Sequence, residues 1–448
     1  MTPGEKDFWF IPLGGTGEIG MNLNLYGHNG QWLIVDCGMT FNEPLTPNET
    51  KLHELVAANP QFIVDRKEQL AGMLITHAHE DHIGAVAQLW PRLQCPVYTT
   101  SFTAEVLANK LTSAGLLSKV PVTVVPSGGQ VDIGCFSVEW LPVTHSIPGS
   151  HSIVIRTPAA NVLHTADWKA DPDPVVGEPF NAEQFKELAG ENITAIVCDS
   201  TNALKPGHSE SEGDCYDGLL DYIQQAKGRV VVSCFGSNIA RLITLGRIAQ
   251  QTGRYMALLG RSMQTMYRTA KRAGIWPDDV TLADSGHLSY LLPEEVLAVA
   301  TGSQGEPRTA LNRLANDRFY DFEIAAGDTV IFSSMVIPGN EREVQRLVDQ
   351  LQRKKIHVIE SAESKTLIHA SGHPCAEELS KLYSWVQPQI AVPVHGEREH
   401  LLANASIARR AGIKRQLTGK NGDVFILSEP SGVRPNQVVS GRIAIEQS

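Results

Sequence analysis

The chain has 448 residues, 42% of them hydrophobic and 19% charged, with a formal net charge of −11. This is an ordinary globular balance with room for about two or three domains. No apolar run reaches the roughly 18 residues of a membrane span, and the opening "MTPGEKDFWFIPLGG" lacks the basic start and apolar core of a signal peptide, so a cytoplasmic protein without a membrane partner is expected.

As far as Asp199 the chain predicts short strands divided by turns: "FWFIPLG", "NLNLYG", "QWLIVDCG", "AGMLITH", "PVYTT", "VTVVP", "FSVEWLPVTH", "HSIVIRT", "ANVLHTADW" and "ITAIVCDST". Between them, "HIGAVAQLWPRL" and "SFTAEVLANKLTSAG" read as helices. The first motif met is "GGTGEIG", which has the Gly15-x-Gly17-x-x-Gly20 spacing of a dinucleotide fingerprint. That fingerprint must open a helix, whereas "MNLNLYG" alternates with period two, so a glycine-rich turn between strands is expected.

The next motif, "LITHAHEDHIG", sets His77, His79, Asp81 and His82 at the mouth of an apolar strand. His77 and His79 are two apart, on one side of an extended segment. Asp81 and His82 follow a turn, with a helix expected to start at Ile83. Four such groups from one loop can serve two neighbouring ions, and imidazole with carboxylate suits Zn²⁺ or Mn²⁺. Further candidate ligands close strands later in the chain: His145 in "VEWLPVTH", Asp167 in "ANVLHTAD" and His395 in "IAVPVH". His164 rivals Asp167, but its place inside a strand favours packing. The seven cysteines (Cys37, Cys95, Cys135, Cys198, Cys215, Cys234, Cys375) are odd in number, scattered and without C-x-x-C, so buried thiols are expected.

From about Gly213 strands and helices alternate: "RVVVSCF", "SNIARLITLGRIAQQTG", "RYMALLG", "RSMQTMYRTAKRAG", "EEVLAVATGS", "DTVIFSS", "NEREVQRLVDQLQRKK". That pattern predicts parallel strands crossed over by helices. Lys227 to Gly274 holds nine basic residues and no acidic one, which leaves the rest of the chain near −20. This stretch is either a basic groove for a polyanion or a pair of helices with Arg on their outer faces. The chain ends in strand, helix and strand ("IAVPVHG", "EHLLANASIARRAG", "DVFIL", "RIAIEQ").

"THAHEDH", "VTHSIPGS", "HTADW" and "PVHGE" resemble the metal motifs of the metallo-β-lactamase fold, and the region after Asp199 resembles the β-CASP insertion of nucleic-acid-processing members. "GGTGEIGMN", "CDSTNA", "FGSNIARL", "ATGSQGEP", "FSSMVIPGNE" and "IHASGHPC" narrow the likeness to the ribonuclease J family, from about Pro12 to the end. That family usually carries an extra C-terminal domain, which is not expected in a sequence that stops at Ser448. The resemblance implies an α/β fold: an αββα sandwich from residues 1–205 and 365–448, with a β-CASP domain inserted at 206–364. It implies one zinc on His77, His79 and His145, another on Asp81, His82 and His395, and Asp167 bridging, with Mn²⁺ or Mg²⁺ as ions that could support activity. Asp199, His373 and His395 match the β-CASP motifs, and His395 points to RNA, since the DNA-repair branch tends to have a small apolar residue there.

In a metal-dependent phosphodiester hydrolysis, Asp81 can orient or accept the proton of the attacking water, His373 can assist the leaving group, and Asp199 can hold a ligand histidine or simply open the turn "DSTN". The turns "CFGSN", "ATGSQGE" and "HASGH" expose backbone N–H and hydroxyl groups, so Ser237, Asn238, Ser303, His369, Ser371 and Gly372 are candidates for phosphate. The resemblance makes that phosphate a 5′-monophosphate. Arg241 and Arg261 are candidates for RNA backbone contacts. The function implied is 5′-to-3′ exoribonuclease activity, with endonucleolytic cleavage beside it, in RNA decay or maturation. Candidate partners are RNA, a second copy in a homodimer, and other RNA-decay proteins. The rival readings are a thioester or lactone hydrolase, a DNA nuclease, and a non-catalytic RNA-binding scaffold. The first leaves the α/β insertion unexplained, the second is disfavoured by His395, and the third usually loses ligands that are all present here.

Overall fold

A computed structural model describes residues 1–41, 55–320, 322–337 and 339–445. Two sheets pack face to face. The first has the order Gly432–Arg434, Val424–Ile426, Phe8–Gly14, Leu23–His28, Gln31–Val35, Leu70–Leu74, Val97–Thr99, Val122–Val124. The second runs Arg415–Gln416, Ile390–Val394, Ala195–Asp199, Asn161–His164, His151–Arg156, Phe136–Pro142, Gln130–Ile133.

Strand alternation explains the layers. Phe8 and Phe10 point into the sandwich, where they meet Tyr26, Phe136, Val138 and Trp140. Trp9, Ile11 and Leu13 point the other way, into a core that includes Val86 and Leu89 of the helix Val86–Leu93. Both faces of the strand are therefore covered, which is why "FWFIPLG" reads as a continuous apolar run. The outer face of the second sheet offers Val154, Leu163, Ile196 and Ala391 to the helices Ala376–Val386 and Arg398–Arg410. Each fully buried large apolar side chain in these layers contributes about 1.5–3 kcal/mol.

A third sheet has five parallel strands in the order Tyr255–Leu259, Val296–Ala300, Val230–Ser233, Thr329–Phe332, His357–Glu360. Val230 and Val232 face the helix Ile239–Thr252, while Val231 faces Ala310–Ala315 and Glu341–Arg353. After this excursion the chain returns to the sandwich, where Ile390–Val394 pairs in parallel with Ala195–Asp199 and sets Val394 beside Asp199. The architecture is the expected one: a two-sheet sandwich with outer helices and an α/β insertion.

"GGTGEIG" is a turn, as expected: Gly15, Gly17 and Gly20 all have positive φ, and Leu23–His28 returns antiparallel to Phe8–Gly14. A Cβ on Gly15 would lie 2.2 Å from Asn22 Oδ1. Several details differ, these among them. The first helix after the histidine motif is Glu80–Ile83, so Asp81 and His82 lie inside it rather than before it. A small sheet of Met39–Phe41, Leu55–Ala58 and Arg442–Ala444 was not expected, nor was Gln130–Ile133. The end of "RIAIEQ" lies outside the described residues.

Candidate metal centre

The strand ends of the sandwich converge on one site. His77 and His79 follow Leu70–Leu74, and their rings lie 5.0 Å apart. His145 and Asp167 each stand three residues past the strands Phe136–Pro142 and Asn161–His164, and His395 one residue past Ile390–Val394, so they sit in turns rather than closing the strands. His164 packs inside its strand, with Nδ1 2.8 Å from the Tyr26 hydroxyl.

Two groups form around a shared residue: His77, His79, His145 and Asp167, and Asp81, His82, Asp167 and His395. Within each group the ligand-type atoms lie within 4.8 Å of one another. Asp167, Asp199, His373 and His395 make a third such group on its flank.

Two buried carboxylates hold the rings. His82 Nδ1 donates to Asp36 Oδ2 at 2.7 Å. Thr76 Oγ1 donates to the same carboxylate (2.9 Å to Oδ2) and accepts from His77 Nδ1 at 2.9 Å. Asp199 repeats the arrangement: His373 Nδ1 donates to its Oδ2 at 2.8 Å, and Thr201 Oγ1 donates to its Oδ1 at 2.7 Å while accepting from His395 Nδ1 at 3.0 Å. His145 Nδ1 donates to the Gly372 carbonyl at 2.5 Å. At His77, His82, His145 and His395 the bond to Nδ1 leaves Nε2 free to face the centre. Asp36, Thr76 and Thr201 were not singled out from the sequence. Asp36 ends the apolar run "WLIVD" just as Asp199 ends "AIVCD", a signal that could have found it.

The donor set fits divalent metal. His77 Nε2 is buried and has no hydrogen-bond partner among the described residues. His145 Nε2 and His79 Nδ1 face each other at 3.0 Å. Burial pushes His79 down to about 4 and keeps His77 and His145 well below the usual imidazole range, so these rings are neutral and carry free lone pairs. At His82 and His395 burial again opposes protonation, but Asp167 and the neighbouring carboxylates outweigh it and raise both. Without metal the carboxylates thus draw protons onto His82 and His395, and cations bound here would take the place of those protons.

The backbone is strained at the same place. Asp36, Ala166 and His395 have φ of +65°, +50° and +51°, each costing on the order of 1–3 kcal/mol. The glycine-rich turn holds this geometry: the Gly15 carbonyl accepts from His395 N at 2.7 Å, and Asn22 N donates to the Asp81 carbonyl at 2.9 Å.

Asp36→Ala releases His82 and Thr76 together. The expected result is metal affinity weakened by about 10- to 100-fold, read by competition with a chelating dye. Unchanged affinity would show that Asp36 only fills space.

The candidate phosphate turns lie at the C-terminal edge of the parallel sheet, the side on which such sheets bind ligands. Ser237 and Asn238 follow Val230–Ser233 and open the helix Ile239–Thr252, and Ser303 follows Val296–Ala300. Asn238 uses its Oδ1 to cap that helix, accepting from Arg241 N at 3.0 Å. Ser371 Oγ accepts from Asn202 Nδ2 at 2.8 Å. Gly372 gives its carbonyl to His145, and a Cβ there would lie 2.7 Å from the His145 ring. His369 Nδ1 is buried without a partner among the described residues, and burial, with Arg241, Lys205 and Lys169 nearby, pushes that ring down to about 3. Exposed Lys205 is a cation near this turn that the sequence did not flag.

One expectation is overturned. Arg241 cannot contact RNA, because it is fully buried in a two-bond pair with Glu212. Arg254 is buried as well, donating to the carbonyls of Gly228, Val296 and Ala226. Arg247, Arg261, Arg268, Lys271 and Arg272 are exposed on helices, so much of the acid-free stretch is outer-face charge.

Comparison with known proteins follows the same division of the chain. The family model for the metallo-beta-lactamase superfamily matches residues 20–212, that for the ribonuclease J beta-CASP domain matches 227–351, and that for the Zn-dependent metallo-hydrolase RNA specificity domain matches 361–416. Ribonuclease J of Sinorhizobium meliloti is 40% identical over 443 residues, covering 98% of this chain and 78% of its own. Ribonuclease J of Mycolicibacterium smegmatis is 36% identical, covering 90% and 71%, and that of Thermus thermophilus 32%, covering 97% and 77%. A crystal structure of a protein of unknown function from Enterococcus faecalis V583 shares the fold, with a TM-score of 0.60 at 17% identity over 94% of this chain and 100% of that one.

Proposed function

The chain belongs to the ribonuclease J family of metal-dependent nucleases, and we propose that it hydrolyses RNA in the 5′-to-3′ direction from a 5′-monophosphate end. The observation that carries this reading is one short segment, His369 to His373, which joins the phosphate turns to the metal centre. His369 follows Ile368, whose carbonyl accepts from Ser333 Oγ beside the parallel sheet, Gly372 bonds His145, and His373 bonds Asp199. Five residues span at most about 17 Å, so a phosphate held at one end lies within a few nucleotides of the other.

His77, His79 and His145 would hold one divalent ion and Asp81, His82 and His395 a second, with Asp167 common to both. Imidazole and carboxylate donors suit zinc. Two ions so held would supply an activated water and would neutralise charge on the scissile phosphate. Asp81, whose side chain is 28% exposed, takes the proton of the attacking water. His373, oriented by Asp199, gives a hydrogen bond or a proton to the leaving oxygen. Ser237, Ser303, Ser371 and the Asn238 amide donate to the terminal phosphate, beside the N-terminus of Ile239–Thr252. Residues 1–205 and 365–448 are read as the catalytic unit and 206–364 as the insertion that supplies these turns. Among the described residues no helix is long and apolar enough to cross a membrane; a role in RNA decay or maturation in the cytoplasm is proposed on the family resemblance.

A pocket shaped for one phosphate leaves the extra charges of a triphosphate crowded or unpaired, at a cost of a few kcal/mol. Hydrolysis of 5′-monophosphate RNA is therefore expected to be about 10- to 100-fold faster than that of the triphosphate. The check is a time course on one oligonucleotide carrying 5′-hydroxyl, monophosphate or triphosphate. Equal rates with internal products appearing first would make the enzyme an endonuclease and remove the pocket.

A further inference from the structure

We infer that Arg241 is a positioning residue that locks the phosphate turns to one another and thereby sets the preference for a 5′-monophosphate end. The inference rests on the phosphate pocket proposed above.

The guanidinium touches no surface, yet its bonds reach the segments that would form the pocket. Nε donates to Glu212 Oε1 at 2.7 Å and Nη2 to Glu212 Oε2 at 3.1 Å. Nη1 donates to the carbonyls of Ser333 (3.2 Å) and Ile368 (3.0 Å) and to Ser333 Oγ. Ser333 Oγ in turn donates to the Ile368 carbonyl at 2.7 Å. The residue's own backbone N–H is held by Asn238 Oδ1.

Ile368 immediately precedes His369, Ser333 directly follows the strand Thr329–Phe332 of the parallel sheet, and Asn238 belongs to the first phosphate turn. The guanidinium therefore ties the helix Ile239–Thr252, which the first phosphate turn opens, to the end of the neighbouring strand Thr329–Phe332 and to the segment leading to Ser371. Glu212 anchors the group to the chain entering the insertion. A buried charge this completely bonded is costly to leave unpaired, so these segments hold one relative position. Lysine cannot substitute. A point ammonium can satisfy Glu212 or the two carbonyls but lacks the fork that reaches both.

The test compares Arg241→Lys with wild type on matched 5′-monophosphate and 5′-hydroxyl RNA. In the variant the ratio of kcat/KM for monophosphate over hydroxyl is expected to fall by about tenfold, the size of one lost charged hydrogen bond. The fall should lie in KM for the monophosphate. The rate on 5′-hydroxyl RNA and the bound metal should stay within about twofold of wild type. A second variant, Glu212→Gln, keeps an acceptor for the fork while removing its counter-charge, and the same ratio should fall by a smaller factor. If Arg241→Lys does not fold, Glu212→Gln decides alone. Equal losses on both substrates would make Arg241 a scaffold residue and overturn the inference, as would an unchanged ratio. A wild-type enzyme indifferent to the 5′ end would instead sink the pocket itself, and the inference with it.

Discussion

Asp167→Ala abolishes hydrolysis: the rate on RNA is expected to fall on the order of a thousandfold or more, with metal lost from both halves of the centre. Among the described residues no other belongs to all three of these candidate ligand groups. Asp167 Oδ2 lies 3.2 Å from His82 Nε2, 3.7 Å from His145 Nε2 and 3.8 Å from His77 Nε2, and its Oδ1 lies 3.4 Å from His395 Nδ1. Burial opposes its charge, but His395, His82 and His373 together hold the carboxyl well below its usual range. Alanine removes the anion on which five rings converge and leaves His82 and His395 without their largest attraction for a proton or a metal. The fold does not depend on this group, because the sandwich core lies between the sheets among Phe10, Trp140 and Val392. Metal content by elemental analysis, turnover on labelled RNA and a thermal melt are the measurements. Full turnover with metal retained would place the chemistry elsewhere.

Much of the candidate centre is legible in sequence because five of its residues follow apolar strands, and a polar side chain just past a strand needs a reason. His77, His79, His145, Asp167 and His395 all announce themselves in this way. Asp36 carries the same signal but has no histidine beside it in sequence. Its partners Thr76 and His82 come 40 and 46 residues later, and only folding shows that one carboxylate holds His82 directly and His77 through Thr76. The strand Leu55–Ala58 fails for another reason. It is short, its partners are Met39–Phe41 and Arg442–Ala444, and the last of these lies at the far end of the chain.

Arg241 is the instructive error. A cation in an acid-free stretch looks like surface charge, since its counter-ion is expected nearby in sequence. Glu212 lies 29 positions away, outside the stretch, and the pairing becomes visible only when the helix Ile239–Thr252 packs on the parallel sheet. Composition over a window reports charge but not which charges meet. The glycine-rich motif shows the converse. "GGTGEIG" carries no ligand, yet Gly15 and Glu18 give their carbonyls to the backbone N–H groups of His395 and Gly396. Its small residues are needed for close approach to the centre rather than for a nucleotide.

The second large effect separates chemistry from metal binding. His373→Ala is expected to lower kcat by about 10²- to 10⁴-fold, the range for losing a positioned proton donor, while both metals stay bound. His373 is bonded through Nδ1 to Asp199 rather than being aimed at either proposed ion pair, and its ring stacks on His395 at 5.7 Å. At 19% exposure it is more open than the rings of His77, His82, His145 and His395, the side from which a leaving group must depart. Asp199→Asn should give a smaller loss, because it weakens the hold on His373 and Thr201 without removing the ring. Yet His373 also belongs to the third ligand group, with Asp167, Asp199 and His395. If the alanine variant loses a metal along with its activity, the histidine is a ligand, and the proton for the leaving oxygen must come from another donor. If turnover falls while metal content holds, the division of labour between the two sides of Asp199 is the one proposed: His395 for the metal, His373 for the bond that breaks.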